Sequence, residues 1–249
     1  MIDLKNVSKT FNKGKANQVN AINDINLHIN EKDFVVVVGS NGSGKTTLLN
    51  LIAGSILPGR GNIYIDNNDI SGLHDYQRSK WIARVFQNPL SGTAPDLSIL
   101  DNFRLAAIRT KRKGLSIGVN EQFIQQVKER IAMLGMGLEN KTAQLMGALS
   151  GGQRQALTLL MSVMDNCEVL LLDEPTAALD PRSAEVVIHT ADRLTKDFEL
   201  TTILITHNLK EAFTYGNRII QMAEGKIIKD LNEKEKASLK QTDLFEWFG

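Results

Sequence analysis

Three short segments of the chain are apolar at every position: residues 34–38, 169–172 and 203–205. A strand without polar alternation is covered on both faces, as in parallel sheets that lie between layers of helices. The second and third segments run directly into polar pairs, Asp173-Glu174 and Thr206-His207. Because open α/β sheets bind ligands at the carboxyl edge of their strands, we expect a site at that edge.

Two earlier segments, residues 2–7 and 21–29, are rich in β-forming residues. In the second of them, apolar residues mostly alternate with polar ones, which predicts a strand with one buried face. The chain therefore begins with strands of a different kind from the three fully apolar ones.

Between residues 91 and 166 the apolar spacing becomes helical. Ser98 to Asp101 resembles a capping box at the start of the first stripe, and Gly135 is the predicted C-cap of the second. The three stripes are Ile99, Phe103 and Ala106; Phe123, Val127, Ile131 and Leu134; and Leu157, Leu160, Met161 and Met164. We interpret the stretch as a helical insertion in an α/β core, and its stripes as core packing.

Composition bounds the class of protein. With 249 residues, 42% apolar and 23% charged, the chain has the make-up of a soluble protein of one large or two small domains. Its net charge of +1 provides no general attraction for nucleic acid or acidic lipid. A single cysteine, Cys167, excludes an intrachain disulfide and fits a reducing compartment. No segment approaches the ~20 apolar residues of a membrane-spanning helix, so a role at a membrane would need a partner that holds the chain there.

A glycine-rich loop follows the first apolar segment, in the pattern G-x-x-x-x-G-K-[ST]. Glycines let backbone N–H groups turn around phosphate oxygens, and the next helix points its positive end at the same place. Lys45 supplies a full charge for the β and γ phosphates, and the Thr46 hydroxyl is a ligand for Mg²⁺. The expected triphosphate-binding residues are Gly39, Ser40, Asn41, Gly42, Ser43, Gly44, Lys45, Thr46 and Thr47.

The acidic pair Asp173-Glu174 narrows the choice of reactions that the site could catalyse. A carboxylate at the end of a buried strand can hold the hydration shell of the metal, and the next one can polarise an attacking water. Small GTPases usually lack the second acid, so Glu174 favours ATP hydrolysis by water. The alternative is an Asp-Glu pair that only opens a solvated turn.

Further motifs occur in a fixed order along the chain. They are an aromatic Phe11, the glycine loop, Gln87 after Val85-Phe86, the LSGGQ segment with Ser150, Gly151, Gly152 and Gln153, the pair Asp173-Glu174, residues 176–180 and His207. In this set, and above all in LSGGQ, the sequence resembles the ATP-binding cassette (ABC) ATPases over essentially its whole length.

The resemblance implies a fold and a division of the chain. We expect an α/β P-loop NTPase of the RecA-like kind, with a mostly parallel core sheet, an N-terminal antiparallel β subdomain and an inserted α-helical subdomain. The whole of residues 1–249 would be one ABC ATPase domain. Residues 1–90 and 166–249 would form the nucleotide-binding core, and residues 91–165 the helical subdomain with the LSGGQ signature.

It also implies roles for particular residues. Phe11 would stack on adenine, although an ordinary core aromatic is the alternative. Glu174 would orient and deprotonate the water, His207 would hold the γ phosphate, and Gln87 would complete the water shell. Thr46, Gln87 and Asp173 would hold Mg²⁺.

The same resemblance implies a two-fold dimer. The expectation is that Ser150, Gly151, Gly152 and Gln153 of one copy cover the ATP held by the glycine loop of the other. The pair would then clamp two nucleotides, and hydrolysis would weaken the clamp because the γ phosphate contacts both halves.

The biological role expected from the resemblance is the energy-coupling subunit of a membrane transporter, more similar to bacterial importers than to fused exporters. The partners would be integral membrane permease subunits and a substrate-binding protein, with no nucleic acid. The chain would be cytoplasmic and peripheral on the inner face of the cell membrane. Segments 91–103 and 154–164 resemble a branch linked to small-solute uptake, with aromatic amino acids such as tryptophan as cargo. The rival is a soluble ABC ATPase of an assembly scaffold, as in iron–sulfur cluster assembly or cell division.

Two smaller features complete the sequence. Residues 111–114 are a basic cluster, which we interpret as a solvated turn. Leu244, Phe245, Trp247 and Phe248 make the carboxyl-terminal tail apolar, and we expect this tail to fold back onto the core.

Overall fold

The computed structural model of the protein describes residues 1–110, 118–240, 242–243 and 247. The basic cluster at 111–114 and most of the apolar tail, namely Leu244, Phe245 and Phe248, lie outside the described residues. Trp247 is buried, only 4% exposed, against the main hydrophobic core. For this one residue, the expected return of the tail to the core is confirmed.

A central sheet organises the molecule. Among the described residues it has six strands in the order β10-β9-β3-β8-β7-β6, and the pairs from β9 to β6 are parallel, whereas β10 is antiparallel. These strands are β3 (Phe34–Val38), β6 (Ile82–Val85), β7 (Val169–Asp173), β8 (Thr201–Ile205), β9 (Arg218–Ala223) and β10 (Lys226–Leu231). The predicted mostly parallel core is confirmed.

Both faces of this sheet are covered, which explains the fully apolar segments. In β3, Phe34, Val36 and Val38 belong to one buried cluster, whereas Val35 and Val37 belong to another on the opposite face. Successive strand residues point to opposite faces, so each β3 position needs an apolar side chain.

A second sheet lies at the amino-terminal end of the chain. It is antiparallel, with the order β2-β1-β4-β5 in the described part of the chain. Its strands are β1 (Ile2–Phe11), β2 (Val19–Ile29), β4 (Arg60–Ile65) and β5 (Asn68–Asp69). Apolar residues of this sheet share a buried cluster with the helix α1 (Lys45–Ala53), as expected for strands with one buried face.

Helices fill much of the span between β6 and β7, as the spacing predicted. They are α3 (Ile99–Ala107), α4 (Glu121–Ala132) and α5 (Gly151–Ser162), with a 3₁₀ turn at Met146–Ala148. The Ser98 hydroxyl caps α3 by accepting a hydrogen bond from the Asp101 N–H at 3.0 Å. Gly135 is not the C-cap of α4, because the chain tightens earlier, into hydrogen bonds from Leu134 N–H to Ile131 and from Gly135 N–H to Ala132.

The remaining described helices are α2 (Asp75–Arg78), α6 (Pro181–Asp197), α7 (Leu209–Thr214) and α8 (Glu233–Ala237). Arg78 of α2 is fully buried and donates to the carbonyls of Leu51 at 2.6 Å and Ile52 at 2.9 Å. These carbonyls belong to the last turn of α1, where oxygens lack partners within the helix. Arg78 therefore anchors the helix that follows the glycine loop. Among the described helices, none combines the length and apolar character that crossing a bilayer requires.

Candidate functional site

The carboxyl ends of β3, β7 and β8 lie side by side and place the predicted residues around one cavity of about 460 Å³. Its lining includes the following predicted residues: Phe11, Asn41, Gly42, Gly44, Lys45, Thr46, Thr47, Glu174 and His207. A larger cavity of about 730 Å³ lies elsewhere, near Phe34 and Lys236, and contains none of the predicted site residues. We take the smaller cavity as the site because the cationic loop and the carboxylates meet there.

The glycine loop fits tightly against the sheet. Gly39 follows β3 with a φ of 145°. A Cβ atom at this position would lie 2.1 Å from the carbonyl oxygen of Met222 in β9. Only glycine fits this close approach, which lets the loop turn directly over the strand ends.

Lys45 opens α1 and turns back over the loop. Its Nζ donates to the carbonyls of Gly39 at 2.8 Å and Ser40 at 3.0 Å. Burial lowers the pKa of Lys45, whereas the charges of Glu174 and Asp173 raise it. Because its acceptors are neutral carbonyls, the ammonium is not held in an ion pair within the described part of the chain.

The loop also contains an unsatisfied polar atom. Ser43 Oγ is buried and has no hydrogen-bond partner among the described residues. A buried hydroxyl without a partner is uncommon in a folded protein. Together with the Lys45 charge and the glycine cradle, it fits a site for a phosphate group.

Asp173 ends β7 and is buried. Its Oδ2 accepts a hydrogen bond from Arg84 Nη2 at 2.9 Å, and its Oδ1 lies 3.4 Å from Thr46 Oγ1. A carboxylate and a hydroxyl are oxygen donors of the kind that Mg²⁺ prefers, and the amide oxygen of Gln87 is another. The donor set therefore fits a hydrated Mg²⁺ ion.

Glu174 follows in the left-handed region, with a φ of 47°, and its N–H donates to the Ile205 carbonyl at 3.0 Å. Its carboxylate contacts two other predicted residues. Gln87 Nε2 donates to Oε2 at 3.2 Å, and His207 Nε2 lies 2.8 Å from Oε1. The three residues expected to act in hydrolysis are thus brought together.

Phe11 lies at the end of β1, on the rim of the cavity. Its ring is 36% exposed, and Lys9 Nζ lies 5.6 Å from the ring centroid. An exposed aromatic face at the mouth of a cavity can stack on a base.

The LSGGQ segment is not brought to this cavity. Ser150 caps α5 by accepting from the Gln153 N–H at 3.3 Å, and the Gln153 side chain accepts in return from the Ser150 N–H at 3.1 Å. A Cβ on Gly152 would lie 2.3 Å from Ser183 Cβ, so α5 begins directly against α6. Within the described part of the chain, residues 150–153 do not line the cavity.

Three side chains at the site were missed by the sequence reasoning. Glu211 of α7 is buried and accepts from Thr176 Oγ1 at 2.8 Å and from Thr206 Oγ1 at 2.5 Å, which ties the segment after Glu174 to the segment before His207.

Gln155 of α5 donates to the Phe86 carbonyl, one residue before Gln87, at 2.8 Å. Arg84 lies on β6 and contacts Asp173. Of these three residues, only Arg84 could have been noticed in the sequence, because a charged residue inside an apolar strand needs a buried partner.

Comparisons with known proteins show what the chain is similar to. The family model described as ABC transporter matches residues 22–177. The chain is 36% identical over 248 residues to the tyrosine transport ATP-binding protein of Clostridioides difficile (strain R20291), a match that covers 100% of this chain and 98% of that protein. It is also 36% identical over 227 residues to the sulfate/thiosulfate import ATP-binding protein CysA of Pseudomonas putida, covering 91% of this chain and 65% of that relative.

A solved structure is similar over nearly the whole chain. It is the ATP-binding cassette MJ0796 of Methanocaldococcus jannaschii, a dimer in a post-hydrolysis state bound to ADP and Pi. The two chains are 31% identical and superpose with a TM-score of 0.80 over 94% of this chain and 99% of that one.

Two alanine substitutions test the fit of the glycine loop. We expect Gly39→Ala to lower the free energy of unfolding by about 3 kcal/mol or more, because β9 must move away from the added Cβ. Gly42→Ala is the matched control. Gly42 also has a positive φ, 78°, but no atom lies within 4 Å of an added Cβ, so we expect a loss of about 1 kcal/mol. Urea denaturation measures both values, and equal losses would contradict the close approach at Gly39.

Proposed function

This chain belongs to the ABC transporter family and is an ATPase, and from that premise we propose that it is the energy-coupling subunit of a membrane transporter. The observation that carries the proposal is the Glu174 carboxylate held between Gln87 and His207 beside the glycine loop. A carboxylate held in this way, next to a phosphate cradle, is suited to activating a water for attack on a γ phosphate.

Nucleotide binding is assigned to the glycine loop and to Phe11. The backbone N–H groups of residues 39–47 and the start of α1 would hold the phosphates, and Lys45 would contribute its charge. Phe11 would stack on the base. Thr46, Gln87 and Asp173 would hold Mg²⁺, which when bound neutralises phosphate charge and orients the phosphates for attack.

Hydrolysis is assigned to three residues. Glu174 accepts a proton from the attacking water as the water approaches the γ phosphate. His207 donates a hydrogen bond to the γ phosphate and stabilises the charge that develops there. Gln87 would hold the water and the hydration shell of Mg²⁺, and the residue before it, Phe86, is fixed by a hydrogen bond from Gln155 to its carbonyl.

The proposed working unit is a dimer. Ser150 to Gln153 lie outside the cavity of their own chain, at the start of a helix where backbone N–H groups attract anions. In a two-fold pair, this segment of one protomer would face the glycine loop of its partner. The dimeric, ADP-bound and Pi-bound cassette of Methanocaldococcus jannaschii supports this arrangement.

We place residues 1–90 and 166–249 in the nucleotide-binding core and residues 91–165 in the helical subdomain. Large apolar side chains are exposed in the segment that follows Gln87: Leu90 is 53% exposed, Leu97 40% and Leu105 52%. Such residues fit contact with a membrane permease. The chain would then act on the cytoplasmic face of the membrane.

The transported substrate is proposed to be a small solute, such as an amino acid, that is imported. The relatives named for tyrosine transport and for sulfate/thiosulfate import support this class. A substrate-binding protein would deliver the solute to the permease.

Replacing Glu174 tests its proposed role. Glu174→Gln keeps the shape of the side chain but removes the base, so we expect ATP turnover to fall by about 10²-fold or more. Binding of a fluorescent ATP analogue should persist, and ATP-bound dimer should accumulate on size-exclusion chromatography. Lys45→Ala should instead lose nucleotide affinity.

The matched control is Glu199→Gln, the same chemical change at an exposed glutamate paired with Lys32 on the surface. It should hydrolyse ATP at the wild-type rate. A wild-type rate in Glu174→Gln would contradict the assignment.

A mixing experiment tests the composite site. Lys45→Ala removes the loop charge and Ser150→Arg blocks the signature, so each variant alone should be inactive. A mixture should regain about a quarter of the wild-type rate, because half of the dimers are mixed and each has one of two sites intact.

The double variant Lys45→Ala/Ser150→Arg is the control for this mixing. Combined with either single variant, it forms no intact site and should restore nothing. If the two single variants also restore nothing when mixed, the loop and the signature do not combine across the dimer.

Affinity purification from detergent-solubilised membranes tests the transporter role. A tagged chain should recover a protein with several membrane-spanning helices. The variant Leu97→Glu/Leu105→Glu should lose that partner, whereas Ile228→Glu, a charge placed at another exposed apolar residue, should keep it. Recovery of soluble assembly proteins alone would contradict the proposed role.

A further inference from the structure

Arg84 is a charged residue inside the apolar strand β6, next to the proposed metal site. Its side chain is 12% exposed, and that of its partner Asp173 is 9% exposed. Nη2 donates to Asp173 Oδ2 at 2.9 Å, and Nη1 donates to Asn50 Oδ1 at 2.6 Å. The guanidinium also lies 4.7 Å from the centroid of the Phe86 ring. It is therefore fixed by hydrogen bonds on one side and by an aromatic face on another.

The contact with Arg84 gives the two oxygens of the Asp173 carboxylate different partners. Oδ2 is taken by Arg84, and Oδ1 is left facing Thr46 Oγ1 at 3.4 Å. Asp173 and Thr46 are the residues to which we assign the metal. Arg84 thus sets the rotation of the carboxylate and places a permanent positive charge behind it.

We propose that the positive charge of Arg84, held against Asp173, reduces the dependence of nucleotide binding on Mg²⁺. This inference rests on the proposed function, because it takes Asp173 and Thr46 as the metal-binding residues.

The direction of this effect on Mg²⁺ dependence follows from the positive charge of Arg84. Without Mg²⁺, Arg84 partly offsets the negative charge of Asp173 beside the triphosphate site, so it favours binding of the polyanion. With Mg²⁺ present, the guanidinium repels the divalent ion across the shared carboxylate. Both effects reduce the advantage that Mg²⁺ gives to nucleotide binding.

If Arg84 served only to stabilise the fold, its replacement would have different effects. A buried pair costs desolvation, and an apolar side chain at position 84 would avoid that cost for the arginine but leave Asp173 without its partner. Such a role would change the stability of the fold. It would leave the ratio of nucleotide affinities with and without Mg²⁺ unchanged.

The test is that ratio, measured by titrating a fluorescent, non-hydrolysable ATP analogue in the presence of Mg²⁺ or of EDTA. Arg84→Met removes both the charge and the hydrogen bonds, Arg84→Gln keeps a donor without the charge, and Arg84→Lys keeps the charge. We expect the advantage given by Mg²⁺ to rise by about three- to tenfold in the Met and Gln variants, and to stay within about twofold in the Lys variant.

The Gln variant keeps the test valid if Arg84→Met does not fold, because it removes the charge but keeps a polar side chain at position 84. Arg130→Met is the matched control. Arg130 is another partly buried arginine, which donates to the Val163 carbonyl at 3.0 Å and lies 5.2 Å from the Phe198 ring centroid, in the helical part of the chain. Its loss should lower stability without changing the ratio.

The titrations distinguish a failure of the proposed metal site from a failure of the proposal for Arg84. If the wild-type protein gains no affinity from Mg²⁺, the assignment of Asp173 and Thr46 fails, and the proposal for Arg84 fails with it. If the wild type does gain affinity but the Met and Gln variants keep the wild-type ratio, Arg84 is structural only. A lower ratio in these variants would mean that Arg84 assists the metal, and either result overturns the inference. A change in Met but not in Gln would overturn the role of the charge.

Discussion

The site depends on one constraint: three neighbouring parallel strands, β3, β8 and β7, end at the same edge of a sheet that is buried on both faces. Apart from Thr201 and Thr202 at the start of β8, their side chains are apolar up to the carboxyl end of each strand, where the polar residues of the site begin. The backbone enforces the alignment, because the Glu174 N–H donates to the Ile205 carbonyl across the edge. Helix α1 is anchored at its far end by Arg78, which fixes the glycine loop against the same edge.

Within this frame, charges are arranged in opposite ways on the two sides of the cavity. Asp173 and Glu174 are both engaged by donors of this chain, Arg84 for the first and Gln87 for the second. Lys45 is held only by neutral carbonyls. Arg84 partly compensates the charge of Asp173, whereas among the described residues Lys45 forms no ion pair, so its ammonium can bind a polyanion although the chain as a whole is nearly neutral.

Features with a local signal could be predicted from the sequence. The apolar strand segments and the Ser98 cap are each specified by residues that are close together in the chain, and the glycine loop is a contiguous pattern. The contacts of Arg84, Gln155 and Glu211 join residues far apart in the chain, so no short window reveals them. The predicted C-cap of α4 was two residues too late: the last turn tightens at Met133, and Gly135 then takes the left-handed conformation, with a φ of 62°.

The signature segment shows why one protomer is an incomplete enzyme in the proposed mechanism. Ser150 and Gln153 satisfy each other, so their side chains are committed to starting α5. The first-turn N–H groups of Gly151 and Gly152 then remain as the donors without intrahelical acceptors, on residues with no side chain in the way. Gly152 is buried against α6, whereas Gly151 is exposed. In the proposed dimer, this donor surface, remote from its own glycine loop, would receive its phosphate partner from the second protomer.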